Sequence, residues 1–324
     1  ENQKINYLPN AYGYSVEDVL ELRQESTAKP KEIEILRDQF ERALNRSDYE
    51  AAKKSVEELC SILGEEHSEV KNAKGELSML YIKKMQPLPE VIDKINQIKR
   101  SDVWRNIPDK DVKAIRNQFE SLPKDSIRYT LLKEQHGLCA YCMRRIHNDS
   151  SMTIEHWAPL SKNKEQALQY SNFLGVCHGG RKSEADDNKI LCCDASKGEK
   201  AIRISPWNES HMKDIAYTSA GIIYTLSGNS DFEEDINRTL CLNGLTDEKG
   251  NFVDTSTEIV KGRRDSIQWC KNLYKALDRQ GKCTSLVLKK KIDEIEQAEI
   301  MPEYAGVKLF YLKKKYRELV NRGK

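Results

Sequence analysis

Hydrophobic residues in the first 78 positions recur at helical spacing, with charged residues between them. A turn at Asn45-Arg46-Ser47-Asp48 carries a capping residue and separates two apolar stripes. The pattern predicts an αα-hairpin with charged outer faces, and we expect this helical arm (residues 1–78) to pack on another element because its stripes are narrow. The residues of the two stripes are Ile33, Leu36, Phe40 and Leu44, then Val56, Leu59 and Leu63.

The pattern changes near residue 79. Met79–Lys84 alternates weakly, as a strand does, and Pro87 and Pro89 end it. A helical tract follows from about Asp109 to Gln135. We therefore place a central domain at 79–265, followed by C-terminal helices at 266–324 that pack on it.

Two further patterns complete the prediction of elements. Ile222-Ile223-Tyr224 is a short β-like run, and Asn243-Gly244 marks a loop. Two long helices are expected from about Thr257 onward.

The length and composition limit the classes of protein to which the chain could belong. The 324 residues are 38% hydrophobic and 32% charged, with room for about two domains. No apolar run approaches the roughly 20 residues of a membrane span, and no signal peptide follows Glu1, so we expect a cytoplasmic protein without a membrane partner. The missing initiator Met suggests that the numbering begins inside a longer product.

The net charge of +2 gives no global argument for nucleic acid, so any such binding must be local. The densest basic runs are Lys289–Lys291 and Lys313–Arg317. We interpret them as solvated helix faces in preference to phosphate-binding surfaces.

Five of the nine cysteines fall between residues 139 and 193. Clustered cysteines in a long chain without a secretory signal indicate a metal rather than disulfides. Cys60, Cys241, Cys270 and Cys283 lie outside the cluster and are expected to be ordinary buried thiols.

Cys139 and Cys142 form a Cys-x-x-Cys pair, which is half of a tetrahedral zinc site. Without further ligands, a Cys-x-x-Cys pair could equally be a redox pair or a chance occurrence. Cys177 and the Cys192-Cys193 pair can supply the second half, and we favour Cys193 because it heads Cys193-Asp194-Ala195-Ser196-Lys197-Gly198. Four thiolates would close the shell of a structural zinc ion.

Glu155 and His156 lie between the two cysteine pairs, after the β-branched Thr153 and Ile154. A histidine can take a proton from water, and a carboxylate can hold a hard divalent ion. A surface loop without a role would be the default interpretation of the two residues alone. Their position inside a cysteine site argues against it.

The order Cys-x-x-Cys, Ile154-Glu-His-Trp-x-Pro159, Tyr170-Ser-Asn-Phe-Leu174, Cys177 and Cys193-Asp-x-x-Lys-Gly198 resembles the HNH (ββα-metal) nucleases. It looks most like the PtuB family of Septu-type anti-phage defence systems, which also occurs in retrons. The resemblance covers roughly residues 79–265. It implies a mainly α protein with a small ββα-metal unit stapled by a cysteine zinc knuckle, which cuts DNA, or RNA such as tRNA.

The resemblance also implies roles for individual residues. His156 would be the general base, and Glu155 would bind a catalytic Mg²⁺ or Mn²⁺ ion together with Asp194. Asn172 would hold the loop that orients His156, and Lys197 would contact phosphate. Zinc would bind Cys139, Cys142, Cys177 and Cys193.

Two features depart from the family pattern. Cys177 is followed by His178-Gly179-Gly180 instead of a second Cys-x-x-Cys, so the fourth zinc ligand must come across the charged insertion 181–189. Asp194 stands where many relatives have Asn or His. A carboxylate should still bind a divalent metal there.

Ala11–Leu20 and the hairpin after it look like the C-terminal tail of ABC-type defence ATPases (PtuA-like), which are partners of such nucleases. A fusion of this tail to the nuclease and an ordinary helical extension are equally compatible with the sequence. The chain has no Walker motif. In retrons the expected partners include a reverse transcriptase with its non-coding nucleic acid.

Two other classes of function remain open at this point. A zinc-stabilised adaptor that docks an ATPase to its effector would need the cysteines only. A zinc module that binds nucleic acid without cutting it would need a stronger basic patch than the sequence offers.

Overall fold

A computed structural model describes residues 80–149, 151–180 and 190–321, together with single positions between 32 and 62. Within these ranges the chain is mainly helical, which confirms the mainly α part of the predicted class, and it contains three small antiparallel sheets. The helices are α1 Pro89–Arg100, α2 Asp102–Asn106, α3 Val112–Glu120, α4 Lys124–Glu134, α5 Cys193–Lys197, α6 Glu209–Lys213, α7 Ser230–Glu234, α8 Glu258–Arg279, α9 Ser285–Glu296 and α10 Ala305–Asn321. The strands are β1 Met152–His156, β2 Phe173–Cys177, β3 Ile215–Tyr217, β4 Ile223–Thr225, β5 Leu245–Thr246 and β6 Phe252–Asp254.

The predicted helical arm is described only in part. The described positions between 32 and 62 are helical, and Ile33 and Leu36 are buried. The other stripe residues lie outside the described residues: Phe40, Leu44, Val56, Leu59 and Leu63.

The predicted strand at 79–84 is wrong over its described part. Residues 80–88 have no regular secondary structure, and Ile82 N donates a hydrogen bond to Pro206 O at 2.9 Å. Alternation over so few residues, with no partner strand beside them, is not enough to form a sheet. α1 then begins at Pro89, because proline suits the first turn of a helix.

The predicted helical tract at 109–135 is two helices instead of one. The Asp111 side chain caps α3 by accepting a hydrogen bond from Ala114 N at 3.0 Å. Pro123 comes directly before α4. A proline disfavours helical backbone in the residue that precedes it, so the helix cannot continue through Leu122. The bend lets α3 pack on the 3₁₀ turn Lys164–Leu168 while α4 packs on β2.

The β1–β2 hairpin lies at the centre of the described core. Met152 pairs with Cys177 at one end, and His156 pairs with Phe173 at the other. Every residue of β2 is buried, as expected for a strand covered on both faces. The register places Glu155 and His156 at the end of β1 and Cys177 at the end of β2.

The C-terminal part contains three helices instead of the two predicted. Thr257 caps α8, as expected from the predicted start. α8 then continues through residue 265, so the predicted boundary at 265/266 falls inside one helix. Arg263 is fully buried in α8, where its guanidinium donates to Leu242 O at 2.7 Å and to Gly221 O. These bonds tie α8 to the segments around β4.

The two basic runs lie on α9 and α10. Lys289 pairs with Asp293 at 2.8 Å within α9, and Lys313 of α10 pairs with Glu296 of α9, also at 2.8 Å. Both runs thus belong to helix faces that carry neighbouring acidic groups.

A buried ion pair connects the segment before α1 to the core. The Lys84 ammonium contacts the Glu134 carboxylate, which also accepts hydrogen bonds from Met85 N at 2.9 Å and the Tyr170 hydroxyl at 3.1 Å. Lys84 donates further to Phe173 O at 2.6 Å, at the start of β2. The network links α4 to the start of β2.

We predict that Glu134→Ala lowers the free energy of unfolding by about 3–5 kcal/mol, because it leaves the Lys84 ammonium buried without its partner. Urea denaturation monitored by circular dichroism measures the change. Glu209→Ala, at an exposed i,i+4 pair with Lys213, is the control and should change stability by less than about 0.5 kcal/mol. Equal effects of the two substitutions would contradict a structural role for this network.

Candidate functional site

Four buried cysteines form a cluster that could hold a metal ion: Cys139, Cys142, Cys177 and Cys193. Their sulfur atoms all lie within 4.8 Å of one another. The Sγ–Sγ distances are 3.6 Å for Cys142–Cys177, 3.8 Å for Cys177–Cys193 and 4.0 Å for Cys139–Cys193. A tetrahedron with Zn–S bonds of about 2.3 Å has edges of about 3.8 Å, which is close to these three distances, so the cluster is compatible with zinc.

The backbone explains why Cys193 joins the cluster. Cys193 has a φ of +55°, in the left-handed region, and its amide donates to Leu240 O at 2.8 Å. Such a conformation in a non-glycine residue is strained and needs support from its surroundings. Cys192 is not one of the four clustered thiols but lies beside them, with its Sγ 3.8 Å from Nη2 of Arg144.

Gly179, two residues after Cys177, lets the segment before α5 approach the end of β2. Gly179 O accepts a hydrogen bond from Cys192 N at 2.8 Å, which brings the two segments together. Gly179 has a φ of +59°, and a Cβ atom there would lie 1.9 Å from Cys192 O. Only glycine permits this approach.

Arg144 also contacts the cluster. Its Nη2 lies 3.3 Å from Cys177 Sγ, and its Nη1 pairs with the exposed Glu258 at 3.5 Å. Four thiolates around a divalent ion carry a net charge of −2, which a guanidinium at hydrogen-bonding distance partly offsets.

His156 lies at the end of β1 in an aromatic environment. Its ring packs edge-on against Phe119 at 4.5 Å and Phe173 at 5.0 Å between ring centroids. Nε2 lies 3.1 Å from the Ala167 carbonyl oxygen, an acceptor that assigns the ring proton to Nε2. The lone pair is then on Nδ1.

Burial lowers the pKa of His156 to about 4, and the cations Lys124, Arg116 and Lys197 act in the same direction. The bond to the Ala167 carbonyl opposes this shift. His156 is therefore neutral near pH 7, the form in which an imidazole can accept a proton.

Glu155 and Asp194 are buried next to each other. Burial is the main cause that raises the pKa of Glu155 to about 8, and Asp194 raises it further, whereas the ammonium of Lys197 lowers it. Lys197 Nζ lies 2.6 Å from Glu155 Oε1 and 3.1 Å from the His156 carbonyl oxygen. With a pKa of about 8, the Glu155 carboxyl is mostly protonated near pH 7, so a divalent cation that binds Glu155 and Asp194 would displace that proton.

Asn172 connects the loop after β1 to the turn before β2. Its Oδ1 accepts a hydrogen bond from Ala158 N at 2.8 Å, and its Nδ2 donates to Ala158 O at 3.0 Å and Gln166 O at 3.1 Å. This arrangement fixes the loop directly beyond His156, and the predicted role of Asn172 is compatible with it.

A cavity of about 340 Å³ opens over these residues. One wall carries Glu155, His156, Asp194 and Lys197. The opposite wall is formed by α3 and the first turns of α4. Lys197 is only 1% exposed, so solvent in the cavity reaches little of its ammonium group.

Sequence reasoning missed several residues at this site. The opposite wall is lined by Arg116, Lys124 and Arg128. In the sequence, scattered cations of this kind indicate only the solvated face of a helix. Tyr141 lies inside the Cys-x-x-Cys pair, and its hydroxyl is 3.5 Å from Glu155 Oε1. No signal in the sequence distinguishes Tyr141 from any aromatic residue at that position.

No protein-family model matches the sequence, and no curated protein matches it either. The resemblance to HNH nucleases therefore depends on the sequence motifs quoted above. Among the helices of the described ranges, none combines the length and apolar character needed to cross a bilayer.

We predict that Cys193→Ser loses bound zinc whereas Cys192→Ser, at the adjacent position, keeps it. Loss of the ion should also lower Tm by on the order of 10 °C, because metal binding and folding are coupled. Metal analysis by mass spectrometry after dialysis, with calorimetry of both variants, gives the answer. Retention of zinc by Cys193→Ser would contradict the ligand set.

Proposed function

We propose that this chain is a metal-dependent HNH-type endonuclease that hydrolyses phosphodiester bonds in DNA, or in RNA such as tRNA. The main support is the convergence of His156, Glu155 and Asp194 on one cavity, next to a cluster of four thiols. The chain segments that supply these residues are a hairpin and a short following helix, the order that a ββα-metal unit requires.

His156 is the general base in this proposal. Its Nδ1 accepts a proton from water, and the oxygen of that water forms a bond to phosphorus. The bond from phosphorus to the leaving ester oxygen breaks, and this oxygen takes up a proton from solvent. A bound phosphodiester adds negative charge near His156, which raises the basicity of the imidazole from its low resting value.

Glu155 and Asp194 are the proposed ligands of Mg²⁺ or Mn²⁺. When bound, the ion would stabilise charge on the phosphate and on the leaving oxygen. Magnesium is commonly held by one or two carboxylates together with substrate phosphate, so this donor set is sufficient. Lys197 and Tyr141 orient the Glu155 carboxylate.

Zinc at the four thiols has a structural role in the proposal. With four protein ligands its coordination is complete, so no position is left for substrate. Cys193 directly precedes Asp194, and therefore the cluster fixes the start of α5 and with it the carboxylate.

The resemblance to Septu-type nucleases adds a biological setting to the proposal. In that setting the chain acts as the effector of an anti-phage system, and an ABC-type ATPase controls its activity. A retron reverse transcriptase with its non-coding nucleic acid is a further proposed partner.

We predict that His156→Ala reduces metal-dependent cleavage of nucleic acid by about 10²–10⁴-fold, the range expected for loss of a general base. His156→Gln preserves more of the packing against Phe119 and Phe173 and should be equally inactive. Cleavage of labelled DNA and tRNA with and without Mg²⁺, in the presence of the ATPase, measures this. His147→Ala, at an exposed histidine, is the control and should keep full activity.

Full activity of both His156 variants would contradict the mechanism. If neither nucleic acid is cut by the unsubstituted chain while zinc remains bound, the adaptor function becomes the better account. An adaptor, however, would have no use for the costly burial of Glu155 and Asp194.

A further inference from the structure

Three cations from α3 and α4 face the proposed catalytic residues across the cavity. Arg116 lies on α3, Lys124 begins α4, and Arg128 follows one turn later. All three line the same cavity, and Arg116 and Arg128 both lower the pKa of Lys124 by their charge. Like charges concentrated on one wall favour the binding of an anion between them.

Two of these cations have hydrogen-bonding partners close to them in sequence. Lys124 Nζ donates to Phe119 O at 2.6 Å and lies 3.6 Å from Glu120 Oε2. Arg128 Nη1 pairs with the exposed Asp125 at 3.2 Å. Arg128 Nε is buried and has no hydrogen-bond partner among the described residues.

The third cation has a partner on the other wall. Arg116 Nη2 lies 3.2 Å from Oε1 of Glu199, two residues beyond Lys197. Oε2 of Glu199 accepts a hydrogen bond from Ser161 Oγ at 3.3 Å. The Glu199 carboxylate therefore lines the cavity and connects Arg116 with Ser161.

The Arg116–Glu199 pair is suited to displacement. Its side chains are 52% and 55% exposed, and ion pairs so exposed are weak and screened by salt. A backbone phosphodiester carries one negative charge, as a carboxylate does, and it offers a guanidinium two non-bridging oxygens. The neighbouring phosphates of a strand add further negative charge, which a single carboxylate lacks. Exchange of Glu199 for phosphate at Arg116 therefore costs little.

We propose that Arg116, Lys124 and Arg128 bind the phosphate backbone of the nucleic acid strand, and that Glu199 occupies this site until a substrate phosphate displaces it. The inference rests on the proposed function, since it concerns the same cavity. It also explains how a chain with a net charge of only +2 can bind a polyanion, because the positive charge is local.

Binding of fluorescein-labelled single-stranded DNA and RNA oligonucleotides to the full chain tests the proposal. All proteins carry His156→Ala to prevent cleavage, and fluorescence anisotropy is recorded over a range of salt concentrations. The additional substitutions are Arg116→Gln, Glu199→Gln, both together, and Glu209→Gln. Glu209 is a matched control because its carboxylate pairs with Lys213, away from the cavity.

Glu199→Gln should tighten binding by up to about five-fold, the strength of an exposed ion pair, whereas Glu209→Gln should not. Arg116→Gln should weaken binding and reduce the salt dependence by about 0.7 in logarithmic slope, as expected for one lost phosphate contact. In the Arg116→Gln background, Glu199→Gln should have no further effect. The DNA and RNA arms then show which backbone the site prefers.

Equal effects of Glu199→Gln and Glu209→Gln would overturn the proposal, because the gain would then reflect overall charge alone. So would unchanged affinity and salt slope in Arg116→Gln. Either result, combined with cleavage by the chain that retains His156, would leave the nuclease function standing. Absence of cleavage by that chain and of binding by every variant would overturn both.

Discussion

The proposed site depends on one constraint, the convergence of four thiols from three separate segments of the chain. Cys139 and Cys142 come from a turn before the hairpin, Cys177 ends β2, and Cys193 starts α5. Four buried thiols this close cannot all ionise without a cation between them, and a divalent ion resolves the repulsion. Because Cys193 directly precedes Asp194, the same constraint places a carboxylate beside Glu155.

The surrounding core supports this arrangement from behind. The Lys84–Glu134 network anchors α4 and β2, and Asn172 fixes the loop beyond His156. Aromatic packing by Phe119 and Phe173 leaves the His156 ring little rotational freedom. Preorganised side chains of this kind are what catalysis by positioning requires.

The sequence was most informative where chemistry restricts residue type and spacing. The four cysteines were predicted as a metal cluster because tetrahedral coordination restricts residue type and spacing. Cys193 was preferred to Cys192 because it heads Cys193-Asp194-Ala195-Ser196-Lys197-Gly198. The strand at 79–84 was predicted wrongly, since a local pattern does not report whether a strand has a partner. The cationic wall could not be predicted, because Arg116, Lys124 and Arg128 become neighbours only after α3 and α4 bend at Pro123.

If the thiol cluster positions Glu155 and Asp194 to hold a divalent cation, the zinc-loaded chain should bind Mn²⁺ between these carboxylates. Electron paramagnetic resonance during a Mn²⁺ titration, with Glu155→Gln as the comparison, measures this binding. We expect a tightly bound Mn²⁺ in the unsubstituted chain that is lost in Glu155→Gln while zinc stays in place. Equal Mn²⁺ binding by the two proteins would show that Glu155 is not a ligand.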